Sequence, residues 1–123
     1  MDKLLLEITY KASYCLLCVY MEEAVYDVLP EYAEHIDYRR IDFLRGEGRQ
    51  RFLDLSVSLF GYDGVYKHRR IAPIPSLWLD GEMVFDGIPP RHELLEALEE
   101  ALAQKKAGQK AGHRVDQGAD LVA

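Results

Sequence analysis

The stretch Tyr10-Lys11-Ala12-Ser13-Tyr14-Cys15-Leu16-Leu17-Cys18 carries both cysteines of a 123-residue chain. Before it runs Leu4-Leu5-Leu6-Glu7-Ile8-Thr9-Tyr10, apolar and partly β-branched, the pattern of a strand buried on both faces. After it, Met21, Val25, Val28 and Leu29 recur at helical spacing. The cysteine pair is therefore expected where a strand gives way to a helix. A helix start offers unpaired backbone N–H groups and the positive end of the macrodipole, and both favour an anion. A cysteine there loses its proton more readily, and the thiolate is the nucleophile. Cys15 is assigned that role. Cys18, three residues on and on the same face, is placed to attack a mixed disulfide formed on Cys15.

Composition narrows the alternatives. The length suits one domain with a real core. A formal charge of −6 argues against a general nucleic-acid binder. No stretch has the length and apolarity of a membrane span, and the N-terminus lacks a signal-peptide layout, so the expectation is a cytoplasmic protein without membrane partners. Two closely spaced cysteines with none elsewhere suit redox or metal chemistry better than a disulfide framework.

From the cysteines outward, the first helix is expected over about Cys15–Leu29, broken at Pro30. A second strand follows over His35–Phe43, and its apolar phase slips between Tyr38 and Ile41, which suggests a bulge or an early end. Strands one and two, with a helix between, form a parallel βαβ unit. Arg45-Gly46-Glu47-Gly48 reads as a turn with no phosphate fingerprint. A second helix runs from Arg49 to Phe60 and stops at Gly61, with one more helical turn possible near Val65-Tyr66. Asp80-Gly81 between Leu77-Trp78-Leu79 and Met83-Val84-Phe85 is a strong hairpin signal. Pro89-Pro90 opens a last helix with Leu94, Leu95, Leu98, Ala101 and Leu102 on its apolar stripe. The domain is expected to span residues 1–104, leaving 105–123 as a flexible tail.

The resulting order, β-α-β-α-β-β-α with Cys-x-x-Cys after strand one and Ile-Pro before strand three, resembles the thioredoxin family and its compact glutaredoxin-sized members. The resemblance covers roughly Leu4 to Gln104 and is carried by Tyr14-Cys15-Leu16-Leu17-Cys18, Ile74-Pro75-Ser76 and Leu79-Asp80-Gly81-Glu82. It implies an α/β fold with a four-stranded mixed sheet flanked by helices. It also implies that Pro75 is cis and faces the cysteines, while Ile74 and Ser76 offer backbone groups to an extended partner. The departures are specific. Leu16-Leu17 stands between the cysteines instead of Gly-Pro or Pro-Tyr, and Thr9 falls where thioredoxins keep a buried acid. Lys11 is one position off the glutaredoxin lysine.

The function expected is thiol–disulfide exchange through Cys15 and Cys18, acting as a reductant of protein disulfides. The partners would be a protein disulfide and an external reductant, either reductase-like or glutathione. No motif requires a metal, flavin or nucleotide. The alternative is a metal-binding or metal-transfer module that uses the two thiolates as ligands, although His35, His68, His92 and His113 lack ligand spacing. A third reading is an interaction domain whose cysteines merely oxidise. Tyr14 is expected to shield the Cys15 thiolate or flank a docked substrate. Lys67-His68-Arg69-Arg70, the concentrated positive run, is either solvated surface or a steering element for an acidic partner.

Overall fold

In a computed structural model describing residues 3–115, the elements follow the expected order. Strand β1 (Leu4–Tyr10) leads to helix α1 (Leu16–Val28), which a 3-10 turn (Leu29–Tyr32) closes at Pro30. Strand β2 (Ile36–Asp42), helix α2 (Gly46–Tyr66), strands β3 (Leu77–Leu79) and β4 (Glu82–Phe85), and helix α3 (Arg91–Val115) complete the chain. The sheet order is β2-β1-β3-β4, with β1 parallel to β2 and antiparallel to β3. This is a thioredoxin-like fold.

β1 is central and buried on both faces, one face lining a hydrophobic core and the other carrying the buried polar residues Glu7 and Thr9. Leu4, Leu6, Ile8 and Tyr10 pack with Met21, Val25 and Val28 of α1 and with Leu94 and Leu98 of α3. On the other face α2 sends Phe52 and Leu55 against Ile41 and Trp78. The same face holds a charge. The Glu7 carboxylate is buried and receives both the Nε and Nη2 of Arg51, at 2.7 and 2.8 Å.

The slipped apolar phase of β2 is not a bulge, since its pairing with β1 runs unbroken from Leu4–Ile36 to Tyr10–Asp42. Arg40 simply occupies a position on the α1 side of this edge strand. Its guanidinium sits 4.4 Å from the Tyr10 ring centroid and bonds Glu22 of α1 at 3.3 Å. Glu22, nearly buried, also accepts from the hydroxyls of Tyr38 (2.6 Å) and Tyr26 (3.1 Å). The irregularity in the sheet lies instead between β3 and β4, at Leu77/Trp78.

Two boundaries depart from the sequence reading. The expected turn at Arg45–Gly48 is already helix from Gly46, because the chain there lies close against β2. A Cβ at Gly48 would run into the Asp42 carbonyl oxygen, so glycine permits the approach. Gly61, at φ 78°, breaks α2 as expected and the last turn resumes through Tyr66. At the other end, α3 passes Gln104 and reaches Val115, and Lys105 bonds Asp80 at 3.0 Å. The loss of apolar residues marks the end of the buried stripe and not of the helix, since Ala, Lys and Gln remain good helix formers. The rest of the expected tail, 116–123, lies outside the described residues.

The hairpin forms at Asp80-Gly81, where both residues have positive φ (49° and 86°), as the tight primed turn demands. Asp80 is also tied to β1: its N–H donates to the Leu5 carbonyl at 2.8 Å and its Oδ1 accepts the Leu5 N–H at 2.9 Å.

Candidate functional site

Between β1 and α1 the chain crosses the end of the sheet in five residues. Cys15 has extended backbone (φ −87°, ψ 100°) and caps α1 with its sulfur, whose Sγ accepts the Cys18 N–H at 3.3 Å. Its carbonyl accepts the Val19 N–H at 3.0 Å, starting the helical ladder. A cap of this kind normally uses an oxygen; here a thiol occupies the place where an anion is most stabilised. The first turn of α1 has no acidic residue to compete with it.

Cys18 lies beneath, fully buried, and its Sγ accepts the Lys11 N–H at 3.4 Å. Burial pushes its thiol up from the ordinary value, the hydrogen bond with Cys15 adds to this, and the Lys11 N–H pulls the other way. Both cysteines are free thiols. One is half-exposed and the other sealed, which is the asymmetry that separates an attacking from a resolving thiol. Around the accessible sulfur Tyr14 (71% exposed), Leu16 and Leu17 open to solvent. The Tyr14 ring has Lys11 Nζ 5.8 Å from its centroid. Beside the loop, a pocket of about 300 Å³ is lined by Lys11, Ser13, Arg40, Asp42, Leu44 and Arg45.

The Ile74–Pro75 peptide is cis. The half-buried Ile74 packs against both cores, and Cys15 packs against the first of them. A buried polar knot holds the bend. The Ser76 N–H donates to Thr9 Oγ1 at 2.7 Å, and the Thr9 N–H donates to the Ser76 carbonyl at 2.9 Å. Both hydroxyls reach the Pro73 carbonyl (2.9 Å from Thr9, 2.7 Å from Ser76), and Trp78 Nε1 donates to Ser76 Oγ at 2.8 Å. Ser76 thus bonds through both of its backbone groups inside the domain. Ile74 has no hydrogen-bond partner for its backbone among the described residues.

Sequence reasoning missed three participants. The Lys11 backbone N–H leaves no side-chain signature. Thr9 was visible as a substituted acid position, but its link to Ser76 spans 67 residues. The Glu22–Arg40 pair was masked by their placement on a helix and a strand that both read as apolar. The basic run Lys67–Arg70 is exposed. Among the described residues, no group of three or more His, Cys, Asp or Glu gathers to hold a metal ion, so the metal-binding alternative is not favoured. No described helix is long and apolar enough to cross a membrane.

No protein-family model matches the sequence, and no curated protein matches it. Among solved structures, the chain is similar to the germline-specific thioredoxin protein Deadhead (Thioredoxin-1) from Drosophila melanogaster. The identity is 16% and the TM-score 0.49, over 80% of this chain and 81% of that one.

Proposed function

We propose that the protein is a thiol–disulfide oxidoreductase that reduces protein disulfides in the cytoplasm and serves redox homeostasis there. The observation that supports this most directly is the Cys18 N–H aimed at Cys15 Sγ at the uncontested N-terminus of α1, with the second sulfur buried behind it. The Cys15 thiolate attacks one sulfur of a substrate disulfide; that S–S bond breaks, and the leaving thiolate takes up a proton. Cys18 loses its proton and attacks Cys15 Sγ, forming the Cys15–Cys18 disulfide and releasing the second substrate thiol. Two electrons pass from the pair to the substrate. An external thiol reductant, a reductase-like protein or glutathione, returns them. Tyr14 flanks the docked segment, and the free backbone groups of Ile74, set by Pro75, pair with it.

The test is direct. Cys18→Ser should accumulate mixed disulfides on Cys15, and Cys15→Ser should accumulate none. Mild oxidation of the wild type should remove both thiols together. A potential near about −270 mV supports the reductant direction, whereas one near about −120 mV would reverse it. Stoichiometric zinc in freshly purified protein, with thiols that resist oxidation, would replace this reading by the metal one.

A further inference from the structure

Around the Gly61 kink, the surface combines two features. Leu59, Phe60, Tyr62, Tyr66 and Ile71 are exposed, with the Tyr62 and Tyr66 rings 4.6 Å apart. Lys67, His68, Arg69 and Arg70 follow directly, also exposed. Arg39, Arg40, Arg51 and Arg91 each lie against a carboxylate, but none of the four basic residues at 67–70 does so among the described residues. In a chain of net charge −6, such a patch is a local inversion of the field.

The patch is also held in place. The Lys67 and His68 N–H groups donate to the Asp63 carbonyl, and the Arg70 N–H donates to the Gly64 carbonyl at 2.9 Å. Arg69 adopts φ 57°, a left-handed conformation that residues other than glycine rarely take and that strained functional loops retain. The chain then enters the Pro75 bend: the Ala72 N–H is fixed on Ser56 Oγ, and the Pro73 carbonyl on the Thr9 and Ser76 hydroxyls. Pro75 follows Arg70 by five positions, so chain length limits their separation to about 18 Å. An extended segment docked at the bend can reach this patch within a few residues.

From this we infer that residues 59–71 form a docking surface for an acidic, aromatic-containing segment of the disulfide-bearing protein partner. The inference rests on the proposed thiol exchange and names the substrate class for it. The permanent cations Lys67, Arg69 and Arg70 meet carboxylates, and the Tyr62–Tyr66 pair offers a face to an aromatic side chain. An anionic membrane fits less well, because three fixed cations face it from a molecule that is otherwise strongly negative.

The experiment uses the full chain and two labelled, cysteine-free peptides of one length, one carrying Asp, Glu and Tyr and the other Lys in place of the acids. The acidic peptide should bind at least tenfold more tightly in low salt, and the preference should collapse in 0.5 M salt. Lys67→Glu/Arg70→Glu should invert the preference, and Tyr62→Ser/Tyr66→Ser should weaken the acidic peptide while leaving its preference over the Lys peptide in place. Given disulfide-linked versions, the wild type should reduce the acidic one faster by a similar factor. Equal binding of the two peptides, a preference that survives charge reversal, or binding to phosphatidylserine vesicles with no peptide preference would overturn the surface. Failure to reduce hydroxyethyl disulfide would instead strike the thiol-exchange reading, while the cysteine-free peptides would still report on the patch.

Discussion

Thr9 and Ser76 hold each other through side chain and backbone at once: their hydroxyl oxygens lie 2.9 Å apart, and the Ser76 N–H reaches Thr9 Oγ1 at 2.7 Å. Both residues are fully buried. The pair fastens the Pro75 bend to the strand that delivers the cysteines, so the relative position of bend and thiols depends on it.

Thr9→Val keeps the shape and removes the acceptor, leaving the Ser76 N–H unsatisfied in the core. Ser76→Ala orphans Trp78 Nε1. Each should lower stability by about 1–3 kcal/mol, read from urea denaturation followed by Trp78 fluorescence. Losses below about 0.5 kcal/mol would mean that water replaces the missing groups and that the knot is not what holds the bend.

The buried Cys18 thiol makes stability depend on pH. Burial raises its pKa in the folded protein, so the fold favours the protonated form. That contribution is fully present below the unfolded value of about 8.5 and is lost as pH rises from there through the higher folded value. Thermal unfolding of the reduced protein should therefore fall more steeply above about pH 8.5 in the wild type than in Cys18→Ala. Parallel slopes would contradict the assignment. Below that range, the attack of Cys18 on a mixed disulfide should quicken about tenfold per pH unit, as its thiolate fraction grows.

Arg51 and Glu7 form a bidentate pair in which the carboxylate is almost sealed and the guanidinium is partly open. Arg51→Met strands a buried charge and should cost about 2–3 kcal/mol, the lower side of the cost of breaking a buried pair because Arg51 reaches solvent. The double variant Glu7→Gln/Arg51→Met should recover part of that loss. A double variant no more stable than Arg51→Met alone would show that the burial cost of Glu7 is not the dominant effect.

Gly48, inside α2, sets helix propensity against packing, with Gly87, outside any helix, as a control. Propensity alone predicts that alanine at a helical glycine stabilises by about 1 kcal/mol. At Gly48 the new Cβ would meet the Asp42 carbonyl, so Gly48→Ala should instead destabilise by about 1–3 kcal/mol, by chemical denaturation. Gly87→Ala, with nothing within 4 Å, should stay within about 0.5 kcal/mol of the wild type. A stabilised Gly48→Ala would mean that the α2 start can retreat from β2 at little cost.

Much of the architecture is local, and local features can be read from one segment at a time. The buried strand before Cys15, the cysteine pair at a helix start, the positive-φ turn at Asp80-Gly81 and the leucine stripe of α3 each depend on a few neighbouring residues. The Gly46 start of α2 and the reach of α3 to Val115 were less legible, because one is set by a strand lying against it and the other by propensity outlasting burial.

By itself the sequence determined the order of elements, the placement of Cys15 at the head of α1 and the acidic character of the chain. Only the tertiary structure decided that Lys11 serves Cys18, that Arg40 answers Glu22 across α1 and β2, and that Thr9 takes up Ser76. Those partners lie 7, 18 and 67 residues apart. Polar groups that share a core must satisfy one another there, and which ones meet is set by how the sheet and helices stack.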